Sequence, residues 1–293
     1  MPNYKTHSIH GELILKEMDK KTEINKEDIK SYCMGPDAII ITDYKTFDFQ
    51  HANKTKEFFM ELLKIIKNKK LQDNSEVMAF LYGQLDHFVL DCIMHPLIYY
   101  MTEGIEAKHK IKPHGLIESW IDDYTTNKYN KNEDKYYNKY TIKDKELIKV
   151  INEIYNRVYN SKYGAKKYSI GMAATAMYDV VARRNLIKIA PIITKLVNIG
   201  DITYSNDLKR VLPYLNLNNE EWYNPETGEK YTDSFDDLWD KSNETILETI
   251  KDINNYLYKD ESITNPLISN NISFNTGIPC EKGQNFSYIK KYK

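Results

Sequence analysis

The stretch Val77–Met101 reads VMAFLYGQLDHFVLDCIMHPLIYYM and is strongly apolar, yet it carries Gln84, Asp86, His87, Asp91 and His95. Apolar residues recur at three- and four-residue intervals across Asp73–Tyr100, which predicts a long helix. Ionisable residues at this density exclude a lipid-spanning segment and point to a buried helix with polar work to do. Residues four apart share a helix face, so His87, Asp91 and His95 form one line. At ~1.5 Å rise per residue the end histidines are roughly 12 Å apart, whereas metal–ligand bonds are about 2.0–2.2 Å. The two histidines are therefore expected to serve different ions, with Asp91 between them. An isolated His-x3-Asp is more readily a capped or salt-bridged polar pair. Inside an apolar helix, however, unpaired ionisable groups cost on the order of several kcal/mol, and a bound metal satisfies all of them at once.

Working outward, helical spacing also runs through Gly11–Lys20, Lys54–Lys67, His114–Tyr124, Ile142–Tyr159, Gly171–Val197 and Phe235–Tyr258, and the fold is expected to be all-α. The β-branched run Ile39–Thr42 is too short to found a sheet and reads as a connector. All seven histidines, His7, His10, His51, His87, His95, His109 and His114, lie before residue 115. We expect a metal-binding helical core over 1–126, a polar connection over 127–140, an accessory helical region over 141–260 packing on the core, and an irregular surface tail over 261–293. Cys33, Cys92 and Cys280 are few and widely spaced, which fits reduced thiols rather than a disulfide framework. No apolar leader follows Met1, so the expected location is cytoplasmic. The formal net charge of -1 argues against a long duplex nucleic acid as partner.

A second four-residue pair, His114 and Glu118, opens a helix after Pro113, and Asp37 follows the turn-like Gly35-Pro36. His51 is read as the start of the helix that contains Phe58 and Phe59. His109, between Lys108 and Lys110, reads as a solvated loop residue. Asp122, one turn beyond Glu118, reads as a supporting or surface acid rather than a ligand. Cys92, Tyr82, Tyr99 and Tyr100 read by default as core.

Taken together, Thr6-His7-Ser8-Ile9-His10-Gly11, Gly35-Pro36-Asp37, His51 with Phe58-Phe59, Leu81-Tyr82-Gly83, His87-x3-Asp91-x3-His95-Pro96 and His114-x3-Glu118-x3-Asp122 resemble the zinc-dependent phospholipase C family, whose ligand layout is similar to that of the P1/S1 nucleases. The stretch from Leu215-Asn216-Leu217 through Trp222-Tyr223-Asn224-Pro225 to Ser234-Phe235 resembles an accessory region of a bacterial branch of that family. The resemblance implies a multi-helical phospholipase C/P1 nuclease-like domain with additional C-terminal helices. It also implies two or three zinc ions: one on Asp37, His51, His87 and Asp91, a second on His95, His114 and Glu118, and a third on Asp91 with His7, or with His10 as the alternative. Secreted relatives complete the third site with the amino group of an N-terminal Trp, which this chain does not have.

The reaction so implied is phosphoester hydrolysis, with a metal-activated hydroxide attacking a phosphodiester and Asp37 orienting or deprotonating the water. The expected substrate is a small phosphodiester or a phospholipid. The alternatives are a single-strand nuclease or nucleotidase and a non-catalytic, zinc-stabilised binding protein.

Overall fold

The computed structural model describes residues 4–102, 113–131, 141–183, 208–280 and 287–288, apart from the side chains of 113, 114, 116 and 178–183. The helices are α1 (Tyr4–Glu17), α2 (Lys26–Tyr32), α3 (Tyr44–Ala52), α4 (Thr55–Asn68), α5 (Ser75–Tyr100), α6 (Pro113–Lys128), α7 (Lys145–Tyr159), α8 (Gly164–Arg183), α9 (Phe235–Lys259) and α10 (Pro266–Ser269). Among the described residues the only sheet is a two-stranded ribbon, in which Trp222–Tyr223 pairs antiparallel with Lys230–Tyr231. The fold is all-α.

Helix α5 is the axis. Every residue from Val77 to Cys92 is buried, the polar Gln84, Asp86, His87 and Asp91 included, so the helix is enclosed on all sides. Its N-terminus is set by Asn74, whose side-chain oxygen accepts from the backbone N–H of Glu76 and Val77 at 3.1 and 2.9 Å. Length and composition alone would let α5 cross a membrane, but 94% of its most apolar window is buried inside the protein, so it is a core helix. Around it pack α1, α2, α6, α7, α9 and the 3-10 turn Gly35–Ile39.

The outer helices are one-sided. In α7 the buried set is Leu147, Val150, Ile151, Ile154, Tyr155 and Val158, a stripe that repeats every three to four residues. Burying a side chain of that size stabilises by about 1.5–3 kcal/mol before entropy is counted. Apolar residues of α7, α8 and α9 join those of α1, α2, α4 and α5 in one continuous core.

Several boundaries differ from the sequence reading. Helix α1 begins at Tyr4, which places His7 on a helix rather than ahead of one. His51 does not open the Phe58–Phe59 helix. It ends α3, and the chain breaks at Asn53 and at Lys54, whose φ is 58°, before α4 begins. Helices α2 and α3 escaped periodicity because they have only 7 and 9 residues and are largely polar, although Asn25 and Asp43 cap them in the expected way. The Ile39–Thr42 run is the end of the 3-10 turn and the bend after it. Helix α8 starts at Gly164 instead of Gly171, and residues 184–197 of the expected helix lie outside the described residues.

The stretch after Asp260 departs most from expectation. Apart from the one-turn helix α10 it is irregular, but Ile268, Ile272, Ser273, Phe274 and Thr276 are buried rather than on the surface.

Candidate metal centre

Four elements around α5 deliver the polar groups that the sequence singles out. Asp37 comes from the 3-10 turn, where Gly35 has φ 55° and lies so close to His87 that a Cβ would fall 2.3 Å from its ring. Helix α8 backs this turn: a Cβ on Gly171 would sit 1.4 Å from the Ala38 carbonyl oxygen. His51 arrives from the end of α3, His7 from the first turns of α1, and Glu118 from α6.

These groups converge on Asp91. Its Oδ2 is 3.1 Å from His87 Nε2, while its Oδ1 is 3.3 Å from His7 Nε2 and 3.5 Å from His95 Nε2. Asp37 spans the neighbouring space, with Oδ1 3.2 Å from His51 Nε2 and Oδ2 3.8 Å from His87 Nε2. On the other side, Glu118 Oε1 is 3.3 Å from His95 Nε2. Two ligand atoms about 2.05 Å from one zinc at the tetrahedral angle lie about 3.3 Å apart, so these separations match the edge of a zinc coordination polyhedron. Two groups, His7 with His87 and Asp91, and Asp37 with His51 and His87, have ligand atoms close enough to hold a common metal ion. The side chain of His114 lies outside the described residues, as does His109.

The hydrogen bonds show which nitrogen faces the cluster. His51 Nδ1 donates to the Phe47 carbonyl at 2.8 Å, His87 Nδ1 to the Cys33 carbonyl at 3.0 Å, and His95 Nδ1 to the Phe274 carbonyl at 2.8 Å. A ring whose Nδ1–H is spent on a carbonyl presents Nε2 as a lone-pair donor, the arrangement typical of metal-ligating histidine. Those three Nε2 atoms, both nitrogens of His7, both oxygens of Asp91 and Oδ1 of Asp37 are buried with no hydrogen-bond partner. Unpartnered polar atoms at this density are rare in a folded protein, and a divalent ion at their focus would satisfy the lone pairs that face it.

Without an ion, the charges partition unevenly. Burial opposes a charged His87, but the carboxylates of Asp91 and Asp37 outweigh it and raise its pKa to about 9. His7, stacked on His87 with ring centroids 4.0 Å apart, is pushed down to about 4 by burial and then by its cationic neighbour. Burial also opposes ionisation of Asp91, yet His95 and His87 hold it well below the usual carboxylate range. A proton on His87 thus stands where a cation would sit.

His10, the alternative to His7, faces elsewhere. Its Nδ1 is 2.6 Å from Asp86 Oδ1 and its Nε2 is 3.0 Å from Ser242 Oγ, which engages both ring nitrogens away from the cluster. Asp122 is fully buried and accepts from the Thr6 backbone N–H at 2.9 Å and the Thr6 hydroxyl at 2.7 Å, which anchors the turn of α1 that carries His7. Cys92 is buried, with its thiol donating to the Ser273 carbonyl at 3.4 Å. Tyr82 donates to Asn254 in the core, while Tyr99 sets its ring edge-on to His95, 5.5 Å between centroids. A surface depression lined by Lys56, Glu57, Met60 and Asn271 shares no residue with the cluster.

The carbonyls of Phe47, Cys33 and Phe274 were missed from sequence. A backbone acceptor leaves no residue-type signature, and Phe274 lies in the segment read as a surface tail.

No curated protein and no solved structure matches the chain. The family model for zinc dependent phospholipase C matches residues 6–165, a span that holds every group of the cluster and more than half of the chain. Helical architecture, ligand-spaced imidazoles and carboxylates, and this match agree: the chain belongs to the zinc-dependent phospholipase C family.

Proposed function

We propose that the chain is a zinc-dependent phosphoric ester hydrolase that cleaves a phosphodiester in a small molecule or a phospholipid. The observation that carries this reading is the set of three carbonyl-pinned imidazoles whose Nε2 atoms meet the orphaned oxygens of Asp91 and Asp37. On this reading Asp37, His51, His87 and Asp91 hold one ion, and His95, Glu118 and His114 a second. His7 with Asp91 Oδ1 holds a third. When bound, zinc brings the pKa of water toward neutrality and offsets the negative charge of a phosphoryl group.

The chain's own residues supply the rest. Asp37 and His51 are each 5% exposed while His7, His87 and Asp91 are 0%, which puts the Asp37–His51 pair on the outer side of the cluster. On this reading Asp37 is first a ligand, and its carboxylate also orients the attacking water or takes its proton. Asp91 acts as the fixed counter-charge, held between three imidazoles. Neutral net charge favours a small substrate over a polynucleotide.

The test is to measure zinc content and turnover of bis(p-nitrophenyl) phosphate, p-nitrophenylphosphorylcholine and single-stranded DNA. The reading predicts hydrolysis of at least one small phosphodiester, lost on chelation and in Asp91→Asn. Turnover confined to DNA would favour a nuclease. Zinc binding with no turnover of any substrate would favour a structural zinc site.

A further inference from the structure

We propose that the segment Ile272–Gly277, far beyond the stretch matched by the family model, is a strap that positions the metal centre by selecting the nitrogen His95 presents; this rests on the ligand assignment made above. The strap engages two ligand residues at once. The Phe274 carbonyl accepts from His95 Nδ1 at 2.8 Å. One atom row away, the Phe274 N–H donates to the His51 carbonyl at 2.9 Å, and Ser273 Oγ donates to the same carbonyl at 3.3 Å. His51 and His95 come from different helices, so a single residue, Phe274, fixes their mutual position through the peptide groups on its two sides.

Side-chain packing reinforces the link. The Phe274 ring contacts those of Phe88, His51 and His87, with centroids 4.7, 5.1 and 6.0 Å apart. The approach is possible because of Pro96. Proline has no N–H, so the Cys92 carbonyl one turn earlier lacks its usual intrahelical donor and the wall of α5 is open there. Gly277 fills the gap: a Cβ on it would lie 2.5 Å from the Cys92 oxygen, and its φ of 68° is one that side-chain-bearing residues rarely adopt. The strap closes on itself through the Ser273 N–H to the Ile278 carbonyl and the Gly277 N–H to the Ser273 carbonyl, both 2.9 Å. His51 takes its Nδ1 acceptor from Phe47 one turn earlier in its own helix and His87 from Cys33 at the end of α2, whereas His95 depends on the strap.

The consequence is specific. With the Phe274 carbonyl in place, the Nδ1–H tautomer of His95 is favoured and Nε2 faces Asp91 and Glu118. With the strap displaced, the ring is free to turn, and the ion that His95 serves is weakened first.

Two measurements on the full chain test this. In the wild-type, zinc-loaded protein with 15N-labelled histidine, long-range 1H–15N correlation is expected to show His95 protonated at Nδ1 and metal-bound at Nε2. The opposite assignment, or an unligated ring, overturns the strap's role without any variant being needed. Gly277→Val then displaces the strap. It is expected to lower zinc affinity at the His95 ion by about 10–100-fold, to change the visible spectrum of the cobalt-substituted protein, and to add nothing to the loss caused by His95→Ala. Wild-type affinity and spectrum in Gly277→Val, or simple addition of the two losses, overturns the proposal. Wild-type protein that takes up no zinc overturns the ligand assignment along with it, whereas wild-type uptake with an indifferent strap overturns this proposal alone.

Discussion

Gly35→Ala is expected to dismantle the centre without replacing a ligand. A Cβ on Gly35 would stand 2.3 Å from His87 Cγ, 2.5 Å from Cδ2 and 2.8 Å from Cβ. Ordinary contact begins near 3.4 Å, so the ring must retreat by about 1.1 Å, the difference between 3.4 and 2.3. The His87 ring is stacked on His7 at 4.0 Å between centroids, so a shift of this size disturbs the packing of a second ligand. Metal sites tolerate ligand displacements of about 0.2 Å, roughly a fifth of what this substitution demands. Alanine in the left-handed region adds about 1–2 kcal/mol of backbone cost, and overpacking a core a further 1–3 kcal/mol. The expected outcome is a loss of at least about 100-fold in zinc affinity, read by competition with a chromogenic chelator, together with roughly 2–5 kcal/mol of stability by urea denaturation. A variant that keeps the full zinc complement and unfolds within about 0.5 kcal/mol of the parent would refute the packing argument.

Metal-stripped protein should be most stable near pH 6.5. His87, raised from 6.5 to about 9, contributes stability that is full below its ordinary value and is lost as pH climbs through 9, on the order of 3 kcal/mol. His7, lowered to about 4, contributes stability present above 6.5 and lost as pH falls through 4, so urea melts at pH 5, 6.5 and 9 should show the middle value highest; a monotonic rise to pH 9 would contradict the pairing. Ser242→Ala leaves buried His10 Nε2 without its partner and should cost about 1–3 kcal/mol in thermal or urea unfolding while zinc content stays at the parent level. Thr6→Val removes the 2.7 Å bond to buried Asp122 and should weaken the ion served by His7 ahead of the others, seen as an earlier step in chelator titration.

The central helix and its line of ligands are legible in the sequence because burial and charge conflict there: Asp91 and two histidines within an apolar helix have few inexpensive partners. Asp37 is marked by its glycine and proline, whose backbone limits shape the turn. His7 and His10 could not be told apart by type or spacing. Only packing separates them, since His10 meets Asp86 and Ser242 from other helices whereas His7 faces Asp91. The short helices α2 and α3 fall below the length at which periodicity speaks, and their existence rests on caps and tertiary contacts. The tail after Asp260 reads as surface because Asn and Ser are frequent in it and Pro266, Gly277, Pro279 and Gly283 interrupt it; what buries the strap is the Cys92 carbonyl freed by Pro96 and the Phe274 carbonyl offered to His95, and no sequence pattern says which segment will meet them.

Anomalous diffraction at the zinc absorption edge, on crystals of the zinc-loaded protein, tests the account most directly. It predicts peaks about 2.0–2.2 Å from Nε2 of His51, His87 and His95 and from the oxygens of Asp37 and Asp91, with the rings still bonded through Nδ1 to the carbonyls of Phe47, Cys33 and Phe274. Peaks confined to surface residues, or a cluster collapsed into direct imidazole–carboxylate hydrogen bonds with no anomalous density, would contradict it.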